Sequence, residues 1–399
     1  MYKLYLIIVM LSWPLIAAAE CKQLTTANEV VKCIVSNHSK VQLSRSNIDS
    51  LAKAVDLASQ QPNPELEFEG TLNNQGSLSS NIAVLHTFEL GGKQSARVDV
   101  AKKERELLQA SLLDLKDKIA IQSVIDLYKY RQLEQEEKIL DEIIESFSHI
   151  SKKFSQAGRL DPQNTISEAI FNIALDESLM SKNSLSNEKL TIRNRIEMGI
   201  GRRITLNRGH LPKIVKKWPV IQFREILGAE IAKAKNEIEY RMAKYALEKS
   251  KSSPDILIGP KIELDDKDFR VGIALSLPLP LYQRNEGGKA KALAEIATSE
   301  LGFNLIESNL KRQRKHLYEL YKQISKKYSQ SLSNNRIMKR HNELHNLSKR
   351  GIVSPALIIE LHRQVLEYHK NLHQLELEGV IAYWKIAAIE GRISQETLK

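Results

Sequence analysis

Apolar residues recur at spacings of three and four through two long stretches of the chain. The first carries Leu108, Leu112, Leu115 and Ile119, then Ile139, Ile143, Phe147, Ile150 and Phe154; the second carries Leu317, Tyr321, Ile324 and Tyr328. That period draws one apolar stripe along a helix. Neither stretch contains proline: none occurs between Pro64 and Pro162, or between Pro280 and Pro355. Proline lacks the N–H donor and clashes with the preceding turn, so helix interiors exclude it. The pattern predicts two very long helices, with outer limits at 92–158 and 288–351. At ~1.5 Å rise per residue each would run roughly 95–100 Å. Shorter helical patterns fall at 26–61, 162–198, 222–251 and 355–391.

The period changes to two just ahead of each long helix. Phe269, Val271, Ile273, Leu275, Leu277 and Leu279 alternate with Arg270, Gly272, Ala274 and Ser276; Leu66 and Phe68 alternate with Glu65, Glu67 and Glu69. Two β-hairpins are predicted, over 64–90 and 254–281, turning at Asn73-Asn74-Gln75-Gly76 and Asp265-Asp266-Lys267-Asp268. Segments of about ten residues with one apolar and one polar side match the strands of a membrane barrel. Two hairpins cannot close a barrel, so several chains would have to share one.

The two halves repeat each other. Gly91-Gly92-Lys93 with Ala96 and Ala101 recurs as Gly287-Gly288-Lys289 with Ala292 and Ala297. At the far ends, Phe154-x-x-x-Gly158-x-Leu160-Asp161-Pro162 recurs as Leu347-x-x-x-Gly351-x-Val353-Ser354-Pro355. There glycine ends the incoming helix, Asp161 or Ser354 caps the next one, and proline takes its first position. The division expected is a first repeat over 20–198, an interruption at 199–221 holding Gly199, Gly201, Pro212 and Pro219, a second repeat over 222–391, and a tail at 392–399. Pairs of short helices stacked end to end would accompany each long one.

Residues 1–19 change the expected compartment. Lys3, the apolar run from Leu4 to Ile16 and Ala17-Ala18-Ala19 read as a secretory signal, too short for a comfortable membrane span. Cys21 and Cys33 are the two cysteines, and in an oxidising periplasm we expect a Cys21–Cys33 disulfide. Acylation of Cys21 is the alternative, against which Glu20 stands where a small residue is wanted. The chain has 399 residues and a net charge of +11, yet the charge is spread along helix faces, and an exported chain is no nucleic-acid partner.

Little in the chain suggests catalysis. Phosphate-loop, nucleophile-elbow and dinucleotide patterns are absent; Gly199-x-Gly201 has no third glycine and no strand before it. An enzyme is not expected, and no cofactor is implied. His341 and His345, like His369 and His373, stand one helical turn apart, a spacing that can bind metal. His341, His345 and His362 are candidates for transient metal contact, with solvated helix faces as the bland reading. The basic run Lys311-Arg312-Gln313-Arg314-Lys315-His316 reads as solvated surface or tunnel lining.

Taken together, Phe88-Glu89-Leu90-Gly91-Gly92-Lys93-x-x-Ala96-Arg97, Leu277-Pro278-Leu279-Pro280-Leu281, Arg284-Asn285-x-Gly287-Gly288 and the two glycine tips resemble the TolC-type outer-membrane factors, especially the metal and drug efflux branch. The resemblance spans nearly all of the chain after the signal. It implies a mainly α homotrimer with a periplasmic α-barrel of long antiparallel helices, each chain adding four strands to a 12-stranded barrel in outer-membrane lipid. It implies a passive exit duct for metal cations or drugs, served by an inner-membrane pump and a periplasmic adaptor. The adaptor would dock on Gly158, Leu160, Asp161, Gly351, Val353 and Ser354. Glu360 matches an aperture position, whereas Leu357 stands where the pattern often has Asp. A periplasmic helical scaffold that never enters the membrane is the alternative.

Overall fold

The structure is a computed structural model and describes residues 21, 24–72, 78–156, 162–265, 268–333, 343 and 355–398. In chain order the elements are α1 (Ala27–Asn37), α2 (Ser39–Ala58), β1 (Glu65–Leu72), β2 (Leu78–Phe88), α3 (Lys93–Gln156), α4 (Pro162–Ile200), α5 (Ala229–Ser250), β3 (Ile256–Asp265), β4 (Asp268–Ser276), α6 (Glu286–Ser333) and α7 (Pro355–Ile389). A 3₁₀ turn, Ile393–Gln395, follows.

The stretch expected as one helix over 26–61 is two. Thr26 opens α1 with a reciprocal capping box to Glu29, and the chain then breaks at His38, whose backbone leaves the helical region while its ring accepts from Lys40 N. The helix expected from 222 begins at Ala229, and the second long helix begins at Glu286 rather than 288.

α3 is the spine. Its 64 residues amount to roughly 96 Å. α4 runs antiparallel along its far half, bridged by Arg195–Asp126, Lys189–Glu137 and Lys182–Asp141, with Phe171 edge-on to Phe147. α5 lies along the sheet end of α3 and also along α6, through Lys103–Glu239 and Arg241–Glu295. α7 lies along α6 and reaches α3. Two shorter helices thus follow the spine end to end. Much of the buried core lines the α3 stripe: Val124, Leu127, Leu140, Ile143 and Phe147, against Phe171, Ile192 and Ile196 of α4.

The four strands form one antiparallel sheet in the order β1-β2-β3-β4. The β2–β3 pairing joins the two halves of the chain, for example Ile82 opposite Ile262.

Candidate functional site

The register sorts the sheet into two chemically distinct faces. Across the four strands, Phe68, Ile82, Ile262 and Val271 fall in one row; beside it Leu66 lies opposite Val84, and Pro260 opposite Ile273. One residue along, every side chain changes face: the row is Glu69, Asn81, Glu263, Arg270, and its neighbour is Glu67, Ala83, Lys261, Gly272. The apolar face is bare, with Phe68 71% and Ile273 77% exposed. Water penalises so large a contiguous apolar surface, so its presence marks a contact with lipid or protein. The outer edges of β1 and β4 have no strand partner among the described residues. Such edges carry unpaired N–H and C=O groups ready for another chain.

The junction below the sheet explains the glycine motifs. Gly91 and Gly92 both adopt left-handed backbone, at φ 73° and 72°, turning β2 into α3. Lys93 then meets Asp255 (2.6 Å), which also accepts from Leu90 N, and Arg97 grips both carboxylate oxygens of Glu89. The second junction solves the turn differently. Gly287 and Gly288 lie inside α6, and Asn285 takes the left-handed position at φ 56°, its amide donating to Glu248 O and Oε2.

At mid-height, residues 201–228 run without helix or strand across the helices. Here Arg131 of α3 and Glu376 of α7 form a buried ion pair. Arg131 Nη1 donates to Pro212 O (3.1 Å), Gln132 Nε2 to Glu376 Oε2 (2.9 Å) and Val215 N to Glu376 Oε1 (2.9 Å). Trp218 stands edge-on to Tyr321 and Tyr328 of α6, and Tyr321 donates its hydroxyl to Pro219 O. Burial pushes the Tyr321 and Tyr328 hydroxyls far up, keeping both neutral. A second buried glutamate, Glu390, accepts from Arg224 N and pairs with Arg392.

Of the residues singled out in the sequence, Gly158, Leu160, Asp161, Gly351, Val353, Ser354, His341 and His345 lie outside the described residues. Glu360 is in the second turn of α7, where it accepts from Nε and Nη2 of Arg363 (2.8 Å each) and from Gln364. Those hydrogen bonds hold its carboxyl below the usual carboxylate range. Leu357 is exposed. His362 does not face solvent: it is buried, its Nδ1 is 2.8 Å from Ile358 O, and its ring packs on Phe147. Facing α3 rather than open space, it does not suit a transient contact with passing metal. His373 is buried as well, with Nδ1 on Glu136 and Nε2 on Gln135. No group of three or more His, Cys, Asp or Glu that could hold a metal occurs among the described residues. Cys21 and Cys33 are joined by a disulfide. Asn37 beside it donates to Cys21 Sγ and to Ile200 O at the end of α4.

The sequence reading missed the Arg131–Glu376 pair, though a signal existed. Val124, Leu127 and Arg131, and again His373, Glu376, Val380 and Trp384, follow the three-and-four spacing of buried positions. A charge within such a stripe needs a buried partner.

No protein-family model matches the chain. It is 23% identical over 259 residues to the cobalt-zinc-cadmium resistance protein CzcC of Cupriavidus metallidurans, a match covering 62% of this chain and 61% of that protein. It thus aligns with about three fifths of that relative's length. Among solved structures, the open state of the Neisseria gonorrhoeae MtrE outer membrane channel superposes with a TM-score of 0.72 at 12% identity, covering 92% of this chain and 90% of the other. CusC, solved to follow folding and transmembrane channel formation, gives 0.69 at 14% identity, with 92% of each chain covered. The fold is therefore the one shared by these channels: mainly helical, with a single four-stranded antiparallel sheet per chain.

Proposed function

We propose that this chain is the outer-membrane exit duct of a tripartite efflux system, conducting its cargo passively. The observation that carries the reading is the sheet, with one face dominated by exposed apolar side chains, the other carrying most of its charged ones, and no strand partner at either edge among the described residues. Its strands of 8, 11, 10 and 9 residues suit the ~9–11 tilted residues of a membrane-spanning strand. No helix among the described residues is long and apolar enough to cross a membrane. Three copies closing edge to edge would make a barrel of twelve strands and satisfy every open edge. The helices, sharing salt bridges along their length, would continue the duct into the periplasm. A periplasmic adaptor would meet the segments 157–161 and 351–354, and an inner-membrane pump would supply the energy.

Metal cations are the favoured cargo. The polar sheet face carries Glu65, Glu67, Glu69 and Glu263 against Lys261 and Arg270, an acidic lining in a basic protein, and the relative CzcC serves cobalt, zinc and cadmium resistance. At the opposite end Glu360 would face the aperture, its charge part-compensated by Arg363. A purely periplasmic scaffold would have no use for the bare apolar face.

The test is reconstitution into a planar bilayer, with the oligomeric mass in detergent measured alongside. A trimer with discrete, cation-preferring conductance is expected. A detergent-independent monomer or dimer without conductance would overturn the duct. Conductance unchanged by Glu360→Ala would remove that residue from the ion path.

A further inference from the structure

Beside the mid-height clamp lies an open cleft of about 970 Å³, formed by α3, α7, residues 208–220 and the C-terminal residues Glu396 to Leu398. Its charge is one-sided. Arg131, Lys138, Arg208, Lys213, Lys216 and Lys217 line it, against Glu134 and Glu396. Glu396 is already committed to Arg392 and to the Tyr383 hydroxyl. Lys213, Lys216 and Lys217 are exposed, and none takes part in an ion pair among the described residues. Two N–H donors of lining residues are buried without an acceptor: Nε of Arg131, itself 7% exposed, and Nε1 of Trp218. A buried donor left unmatched is costly, and a ligand oxygen would relieve it.

We propose that this cleft binds a carboxylate-bearing polymer, the peptidoglycan of the cell wall. This rests on the duct reading, which places the helices in the periplasm. Counted along α3 from Lys93 at the sheet end, Arg131 sits roughly 57 Å from the membrane. A polyanion fixed at a set depth below the outer membrane would meet the duct at one level, and the cations of this flank are gathered at one level. Extended lysines suit the free carboxylates of peptide stems, which need point charges more than a fixed fork. The buried Arg131 and Trp218 donors would take one carboxylate at the cleft floor.

The experiment is co-sedimentation of the full detergent-solubilised protein with purified peptidoglycan sacculi at physiological ionic strength. Three proteins are compared: the native chain, Lys213→Glu/Lys216→Glu/Lys217→Glu, and a charge-matched control, Lys311→Glu/Arg312→Glu/Lys315→Glu on α6. The cleft variant should bind at least tenfold more weakly while keeping native bilayer conductance, and the control should match the native chain in binding. If the glutamates disturb folding, the glutamine triple at the same lysines should show the loss with native thermal unfolding. Failure of the native chain to sediment overturns the site, as does equal loss in the control. Competition by a poly-glutamate peptide as strong as that by soluble muropeptides would make the occupant an acidic protein segment instead. Absent conductance in the native chain would sink the duct reading separately, because sedimentation does not depend on conduction.

Discussion

Glu376 on α7 divides its two carboxylate oxygens between α3 and the irregular segment: Oε2 takes Arg131 and Gln132, and Oε1 takes Val215 N. With Glu376 1% exposed, one side chain fixes three parts of the chain at mid-height. Removing one partner strands the other charge in a dry site, at a cost of about 3–5 kcal/mol, whereas replacing both by apolar residues of similar volume is often near neutral. Glu376→Ala should therefore lower stability by about that amount in denaturant titrations. Arg131→Met with Glu376→Leu should recover most of it. A loss in the single variant below about 1 kcal/mol would show that the pair does not hold the clamp.

Gly379 faces Trp218 across the α6–α7 contact, where a Cβ would overlap the indole ring and press on Ile324. Overpacking of this kind costs about 1–3 kcal/mol. Gly379→Ala should lower the thermal midpoint and shift Trp218 fluorescence toward that of a more exposed indole. An unchanged spectrum would mean that the ring has room to move aside.

The two sheet faces should respond oppositely to charge. Ile273→Arg places a cation on the apolar face and should cost about 2–4 kcal/mol near mid-membrane depth. Ala274→Lys, the next residue on the other face, should leave the assembled oligomer intact on semi-native gels. Equal tolerance at both positions would argue against lipid on the apolar side.

Asp117 on α3 offers a pH signature. Burial, with Asp114 adding repulsion, pushes its carboxyl up to about 6 from an ordinary value of 3.8. The folded state thus holds this proton more tightly than the unfolded state, so stability falls as pH rises from about 4 to about 6, then levels off. Asp117→Asn should remove that slope. The variant should match the native chain below pH 4 and exceed it by about 1 kcal/mol above pH 6, the figure reduced because the site is part-exposed and screened. A variant with the native slope would assign the titration elsewhere.

Where local rules apply, the elements could be read directly. Proline-free amphipathic stretches gave α3 and, within two residues, the start of α6, and period-two alternation gave the two hairpins with the sorting of faces in β1 and β4. Side-chain direction alternates strictly along a strand, so which residues share a face follows from position alone. The Gly91-Gly92-Lys93 motif was visible as a repeat, but the repeat implied equivalent turns. The structure uses left-handed glycines at one junction and left-handed Asn285 at the other. The break at His38 was also hidden, because the apolar spacing of α1 runs on into α2 without proline or glycine to mark it.

The mid-height clamp and its cleft depend on partners far apart in the chain. Arg131 reads as one of many helical cations until Glu376, 245 residues away, is placed against it. His362 looks like an accessible imidazole on a returning helix until α3 packs Phe147 across it. Helix and strand, their periods and their polar and apolar sides come from neighbours within a few residues, and the amino-acid order carries them plainly. Burial and the pairing of charges arise when distant segments share one volume, and for this chain that sharing turns scattered lysines, a tryptophan and two glutamates into a clamp with a cationic cleft beside it.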